Sequence, residues 1–187
     1  MSEVTTVQRT RERDVETDAP FRWPDASSTA EVVLEEGLAF CAEKAGLEST
    51  QTVVQRLREG DCAVLDYWRY GLAKKLGECI GTLDDHVKAA YVLDYDATPL
   101  DSAFGTKCDT TLIHLIVWAT RRTDALDALL KALDRALVQE YADMVDAPHL
   151  KHLLDVQVVD DADVEDRRGY GALLTSLHNR PIRVWER

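Results

Sequence analysis

Four side chains that could bind a metal ion or transfer a proton lie within three apolar stretches. Asp94 and Asp96 end the stretch VKAAYVLDYD, His114 lies within LIHLIVWA, and Asp155 lies within LLDVQVV. An imidazole combined with carboxylates suits zinc or manganese better than magnesium. These four residues are therefore the candidate catalytic residues, and the three aspartates among them are the candidate metal ligands.

Each candidate also has an ordinary structural interpretation. On a strand, His114 shares a face with Ile116 and Trp118, which favours a core histidine satisfied by one or two hydrogen bonds. Asp94 and Asp96 also share a strand face, where they repel each other unless a cation or a helix N-terminus lies between them. Alternatively, both are solvated acids where the strand ends.

Charge and hydropathy exclude two broad classes of protein. The net charge of −12 argues against general binding of the nucleic-acid backbone, because such binding requires surplus Lys and Arg. No apolar run approaches the roughly 18 residues of a membrane-spanning helix, and residues 1–20 lack the apolar core of a secretion signal. We therefore expect a cytoplasmic protein. An acidic mimic of nucleic acid remains an alternative if the acids from Asp143 to Asp166 share one face.

The pattern of apolar residues divides the chain into three segments. Residues 1–27 show neither helical nor strand periodicity, so we expect a disordered arm. Residues 28–60 predict a helical extension whose first helix begins at a capping box on Ser28. Residues 61–187 predict the main domain, which begins with a helix capped by Asp61.

Within the main domain, helical periodicity alternates with strand periodicity. We expect a helical turn at Pro99, a long helix capped by Thr123 and a helix that runs from Asp163 to His178. Strands alternating with helices predict an α/β (α+β) fold, in which helices pack on a sheet. The predicted strands are VKAAYVLDYD, TTLIHLIVWA, LLDVQVV and, at an edge of the sheet, PIRVWE.

The order and local sequences of these elements resemble the minimal nucleotidyltransferase domains found in bacterial toxin and antitoxin pairs. The resemblance covers roughly the last two thirds of the chain, in GTLDDHVKAAYVLDYDATP, LIHLIVWATRRTDALDALLKALDRAL and LLDVQVVDDADVEDRRGYGALLTSLHNRPIRVWE. It implies a mixed sheet of about four strands with flanking helices. In that family, Gly-Ser after the first strand, Asp-x-Asp on the second and another Asp on the third hold a metal and a nucleoside triphosphate.

This sequence departs from the motifs that hold the metal in that family. Asp94-Tyr95 stands in place of Gly-Ser, and Leu112-Ile113-His114 stands in place of Asp-x-Asp. Only Asp155 stands where an acid is expected. Because a hard divalent cation on a triphosphate must be held by two or more carboxylates, the pattern predicts a domain without the catalytic activity of the family.

The leading hypothesis is therefore a non-catalytic interaction or regulatory protein with no cofactor. We expect a protein partner, and self-association through the N-terminal helices or the edge strand PIRVWE is a further hypothesis. The alternative is a divergent enzyme that binds a divalent metal with a nucleoside triphosphate. The enzyme hypothesis requires one cleft lined by four side chains, namely Asp94, Asp96, His114 and Asp155.

Overall fold

The computed structural model describes residues 26–93, 111–178 and 180–187. Within these ranges the chain forms six helices and four strands, and the predicted α+β fold is confirmed. The helices are α1 (Ala26–Ala45), α2 (Thr50–Arg58), α3 (Cys62–Leu83), α4 (Asp124–Val145), α5 (Asp161–Glu165) and α6 (Gly171–Leu174). The strands are β1 (Val87–Val92), β2 (Ile113–Ala119), β3 (Leu154–Val159) and β4 (Ile182–Glu186).

The four strands form one mixed sheet in the order β3-β2-β1-β4. Strand β1 is antiparallel to both β2 and β4, whereas β2 and β3 are parallel. A parallel pair needs a crossover connection, which α4 provides between β2 and β3. Strands β3 and β4 are therefore the edges of the described sheet, and the edge position predicted for PIRVWE is confirmed.

One face of the sheet packs against a layer of long helices. Helix α3 contacts β1 and β4, and α1 contacts both α3 and α4. Leu38 of α1 and Val53 of α2 belong to the same apolar cluster as the inner sheet face, so the first two helices share this core. The largest fully buried side chains of the layer and of this sheet face include Trp68, Leu72, Leu76, Ile80, Ile113, Leu115, Leu126, Leu133 and Leu137.

Two glycines of α3 allow β4 to approach this helix closely. A methyl group on Gly77 would lie 2.9 Å from the Cβ atom of Trp185, and a methyl group on Gly81 would overlap the indole ring of Trp185. Side chains at these two positions would push β4 away from the helix. The absence of side chains at these two glycines therefore fixes where Trp185 packs.

The opposite face of the sheet is partly covered by the short helices α5 and α6. A second, smaller cluster of buried side chains lies beneath them, and it is separate from the main core. Asp160 caps α5 through a capping box with Asp163, which places the start of α5 directly after β3. The buried residues of this cluster are Ala89, Tyr91, Ile116, Val159 and Leu174.

The predicted boundaries of two helices were wrong. Helix α1 begins at Ala26, so Ser28 lies inside the helix and does not cap it. The helix predicted from Asp163 to His178 is instead two short helices, because Arg167 and Gly169 have positive φ angles of 54° and 48°. Backbone in this left-handed region cannot continue an α-helix.

Strand β1 departs from strict alternation at one point. Alternation would place Val87 and Ala89 on the same face, but the pairing of β1 with β2 shifts register between these two residues. Such a β-bulge inserts one extra residue and reverses the alternation. Val87 therefore lies in the main core, whereas Ala89 lies in the small cluster. The predicted helical turn at Pro99 and most of the predicted arm lie outside the described residues.

Candidate functional site

Two of the four candidate residues meet on the less covered face of the sheet. In the parallel pairing of β2 with β3, His114 lies directly beside Asp155, and its Nδ1 atom is 2.9 Å from Asp155 Oδ2. The other two candidates, Asp94 and Asp96, lie outside the described residues. The structure therefore brings together one imidazole and one carboxylate from the predicted set.

A third polar side chain completes this group. Gln157 lies two residues after Asp155 and on the same strand face, and its Nε2 atom donates a hydrogen bond of 3.0 Å to Asp155 Oδ1. Both oxygens of the Asp155 carboxylate therefore have partners on the sheet itself. Gln157 was not among the predicted site residues, although its spacing of two from Asp155 is the signal that places both residues on one face.

The surroundings of the pair are mixed in polarity. The side chains of His114 and Asp155 are 24% and 39% exposed, whereas Ile116, two residues along the same face of β2, is 1% exposed. The neighbours of His114 in the chain, Ile113 and Leu115, point to the opposite face and are fully buried. The pair therefore lies at the boundary between the small apolar cluster and solvent.

This geometry defines what the pair could do chemically. A carboxylate beside Nδ1 holds the imidazole in one orientation, so proton transfer by His114 would take place through Nε2. A metal ion would have fewer than three such ligands from the described residues. No group of three or more His, Cys, Asp or Glu side chains converges in the described parts of the chain. Proton transfer is therefore the chemistry that the described pair fits best.

A second polar group ties α5 to the sheet at the other end of this face. Lys88 Nζ lies 2.6 and 2.7 Å from the two carboxylate oxygens of Asp161, and Trp118 Nε1 donates a hydrogen bond of 2.9 Å to Asp161 Oδ1. The Lys88 ammonium also lies 5.1 Å from the centre of the Trp118 ring. The hydrogen bond from Lys88 is the main cause of a lowered pKa for Asp161. These contacts fix α5 against β1 and β2.

A groove runs along the outer side of β3, between this strand and α4. Its volume is about 370 Å³, and it is lined by apolar residues of β3 and by charged residues of both signs. At the start of β3, Asp134 Oδ1 of α4 accepts hydrogen bonds of 3.0 and 2.9 Å from the backbone N–H groups of Leu153 and Leu154. No local sequence signal predicts these contacts, because the partners are 19 and 20 residues apart.

A separate cavity lies between α1 and α3. Its volume is about 430 Å³, and its lining includes Val32, Cys79 and an ion-pair group in which Lys75 contacts Glu36 and Glu78. Neither His114 nor Asp155 lines this cavity. Burial is the main cause of a raised pKa for the Cys79 thiol, so the thiolate that nucleophilic chemistry needs is disfavoured.

Several acids of the segment from Asp143 to Asp166 are neutralised within the chain. A mimic of nucleic acid needs unpaired negative charge on one surface, and ion pairs with basic side chains reduce that charge. These contacts therefore do not favour the mimic hypothesis. The pairs are Asp161 with Lys88, Asp163 with Arg122, and Asp166 with Arg168.

Comparison of the chain with family models, with curated proteins and with solved structures gives no match. In the part of the chain that the structure describes, no helix is both long and apolar enough to cross a membrane. Function is therefore inferred from the residues of the site and from their geometry.

Proposed function

We propose that this protein is a non-catalytic interaction or regulatory protein built on a nucleotidyltransferase-like domain. The observation that supports this proposal is the hydrogen bonding of Asp155. It is the one acid that stands where the family resemblance implies a metal ligand, and His114 and Gln157 engage its two oxygens at 2.9 and 3.0 Å.

The physical reason is the charge that a metal–triphosphate complex requires. A divalent cation bound to triphosphate is held by several carboxylate oxygens, which also offset the charge of the ion. Among the described residues, Asp155 is the one carboxylate that the resemblance places here, and each of its oxygens already has a hydrogen-bond partner. Beside this acid, at the position implied for Asp-x-Asp, stands the imidazole of His114, which is a poorer ligand for magnesium than a carboxylate.

The proposal extends to location and partners. A cytoplasmic location is consistent with the net charge of −12, because a high net charge favours solubility. A domain without catalytic activity would act through its surface rather than through a reaction. We therefore also propose a protein partner. Fold resemblance alone does not identify that partner.

The first test measures thermal stability in the presence of nucleoside triphosphates, each with magnesium, manganese or zinc. A ligand that binds only the folded state stabilises it by about 2.7 kcal/mol at 100 times its Kd. We expect no rise in Tm that depends on Asp155. The comparison uses the wild type, Asp155→Asn and, as a matched control on an exposed part of α4, Asp143→Asn.

One observation favours the enzyme hypothesis as a second candidate. The contact of 2.9 Å between Asp155 and His114 Nδ1 orients the imidazole as in a general acid or base. A rise in Tm that Asp155→Asn abolishes and Asp143→Asn preserves would overturn the non-catalytic proposal. The same result would place Asp155 in a nucleotide-binding site.

A further inference from the structure

The two edges of the sheet differ in how well they could accept another strand. Strand β4 shifts register against β1 between Ala90 and Tyr91, and its exposed side chains Arg183 and Glu186 form an ion pair of 2.6 Å. Bulges and charged side chains are features that protect edge strands from pairing. Strand β3 has no bulge in its pairing with β2, which runs in register from Leu154 to Val159. Its one charged side chain, Asp155, already contacts His114 and Gln157 of the same chain.

The backbone of β3 presents hydrogen-bonding groups on its outer side. The N–H of Ile113 donates to the carbonyl of Leu153, and alternate residues of a parallel strand bond to the same neighbour. The N–H and C=O groups of Val156 and Val158 therefore face away from β2. Leu154 faces the same way, but its N–H is already satisfied by Asp134.

The groove beside β3 has an acid at the start of the strand and a basic side chain at its other end, and each already has a partner within the chain: Asp134 contacts His152 at 2.8 Å, and Arg122 contacts Asp163. At the start of the strand, Asp134 binds the N–H groups of Leu153 and Leu154. At the other end, Arg122 contacts Asp163 at 2.7 Å, in the helix that follows β3. Both Arg122 and Asp134 line the groove along β3. Because the Arg122 side chain is 57% exposed, it can contact a further carboxylate, and an antiparallel copy of β3 would bring Asp134 of that copy toward it.

From this complementarity we infer that β3 pairs with β3 of a second copy of this chain across a two-fold axis at Val156. Residues whose N–H and C=O groups face away from β2 then lie opposite each other. Val156 pairs with Val156, and Leu154 pairs with Val158 of the second copy. On the other face, Asp155 lies across from Gln157. Because Asp134 retains the N–H of Leu154, the ladder has about four backbone hydrogen bonds.

The same axis brings the charged groups of the two copies together. Arg122 of one copy approaches Asp134 of the other, at both ends of the paired strands. The two sheets become one continuous sheet of eight strands, and the unprotected edge is covered. This inference rests on the proposed role in protein interaction and names the partner, but its test measures association and not nucleotide binding.

The test is sedimentation velocity of the full chain up to about 100 µM, a concentration that detects a Kd in the micromolar range. The wild type is expected to sediment as a dimer. Val156→Pro removes an outward N–H that makes no bond within the sheet, and Arg122→Glu reverses one charge of the proposed contact. Each variant is expected to weaken association at least about tenfold, equivalent to 1.4 kcal/mol. Arg180→Glu is the matched charge reversal, and it should leave association unchanged.

Two results would overturn the inference. One is a wild type that stays monomeric at the highest concentration. The other is a dimer that persists in both Val156→Pro and Arg122→Glu. If circular dichroism shows that Val156→Pro does not fold, hydrogen exchange of the wild type is measured in place of the sedimentation of this variant. Exchange of the Val156 and Val158 amides must then slow as the wild-type concentration rises, and an unchanged exchange rate contradicts pairing at β3.

Discussion

The two faces of the sheet are filled by different kinds of side chain. The face beneath α1, α3 and α4 belongs to one large core, and its β2 residues Ile113, Leu115 and Val117 are all 0% exposed. The face beneath α5 and α6 has a small apolar cluster and the polar pair His114–Asp155. The first face therefore buries most of the apolar side chains of the sheet, while the second also carries partly exposed polar groups.

The largest effect is expected on the large core. Leu133 of α4 is fully buried, and Leu133→Ala should lower the free energy of unfolding by about 2–5 kcal/mol, because it leaves a cavity in a close-packed interior. Urea denaturation measures this change. Gln139→Ala on the exposed side of the same helix is the control and should cost less than about 0.5 kcal/mol. Equal effects of the two substitutions would contradict the assignment of Leu133 to the large core.

An intermediate effect is expected where α5 joins the second face. Trp118→Phe retains an aromatic ring but removes the donor of the hydrogen bond to Asp161. The expected loss is about 1 kcal/mol, the usual net value of one hydrogen bond. Urea denaturation again gives the value. A loss as large as that of Leu133→Ala would show that this face contributes to stability as much as the main core does.

The smallest effect is the response of the Asp161 contacts to pH. The folded state lowers the pKa of Asp161 from its ordinary value of 3.8, mainly through the hydrogen bond from Lys88. The stabilisation is therefore fully present above pH 3.8 and declines as the pH falls through the lowered folded-state pKa. Asp161→Asn should remove this part of the pH dependence. Identical acid-denaturation curves for wild type and variant would refute the assignment.

Local signals in the sequence predicted the large core better than the small face. Asp61 and Thr123 cap α3 and α4 as expected, because a capping side chain and the apolar stripe that follows lie in one short segment. The break between α5 and α6 was not predicted, because Arg167 adopts a positive φ angle and arginine is not a residue type that favours this conformation. Long-range packing determines such a conformation, and a single sequence does not display it.

The candidate site was predicted in part for a similar reason. His114 and Asp155 meet because β2 and β3 pair in parallel. The enzyme hypothesis required that these two side chains lie in one cleft. The hydrogen bond from Gln157 requires the register of that pairing, and the contacts of Asp134 require the position of α4 over β3. The position of α4 over β3, and the exact partner of each residue in β3, also depend on contacts between segments that are far apart in the sequence.

The pairing of β1 with β4 also has a consequence for how the chain folds during synthesis. Arg187 Nε donates to the carbonyl of Val87 across a sequence separation of 100 residues. Contacts of such separation form slowly, because a long loop must close before they contribute stability. Until β4 is made, one side of β1 is an open strand edge, and the place beside Gly77 and Gly81 where Trp185 packs is unfilled. The growing chain therefore exposes a surface prone to aggregation that the finished fold covers.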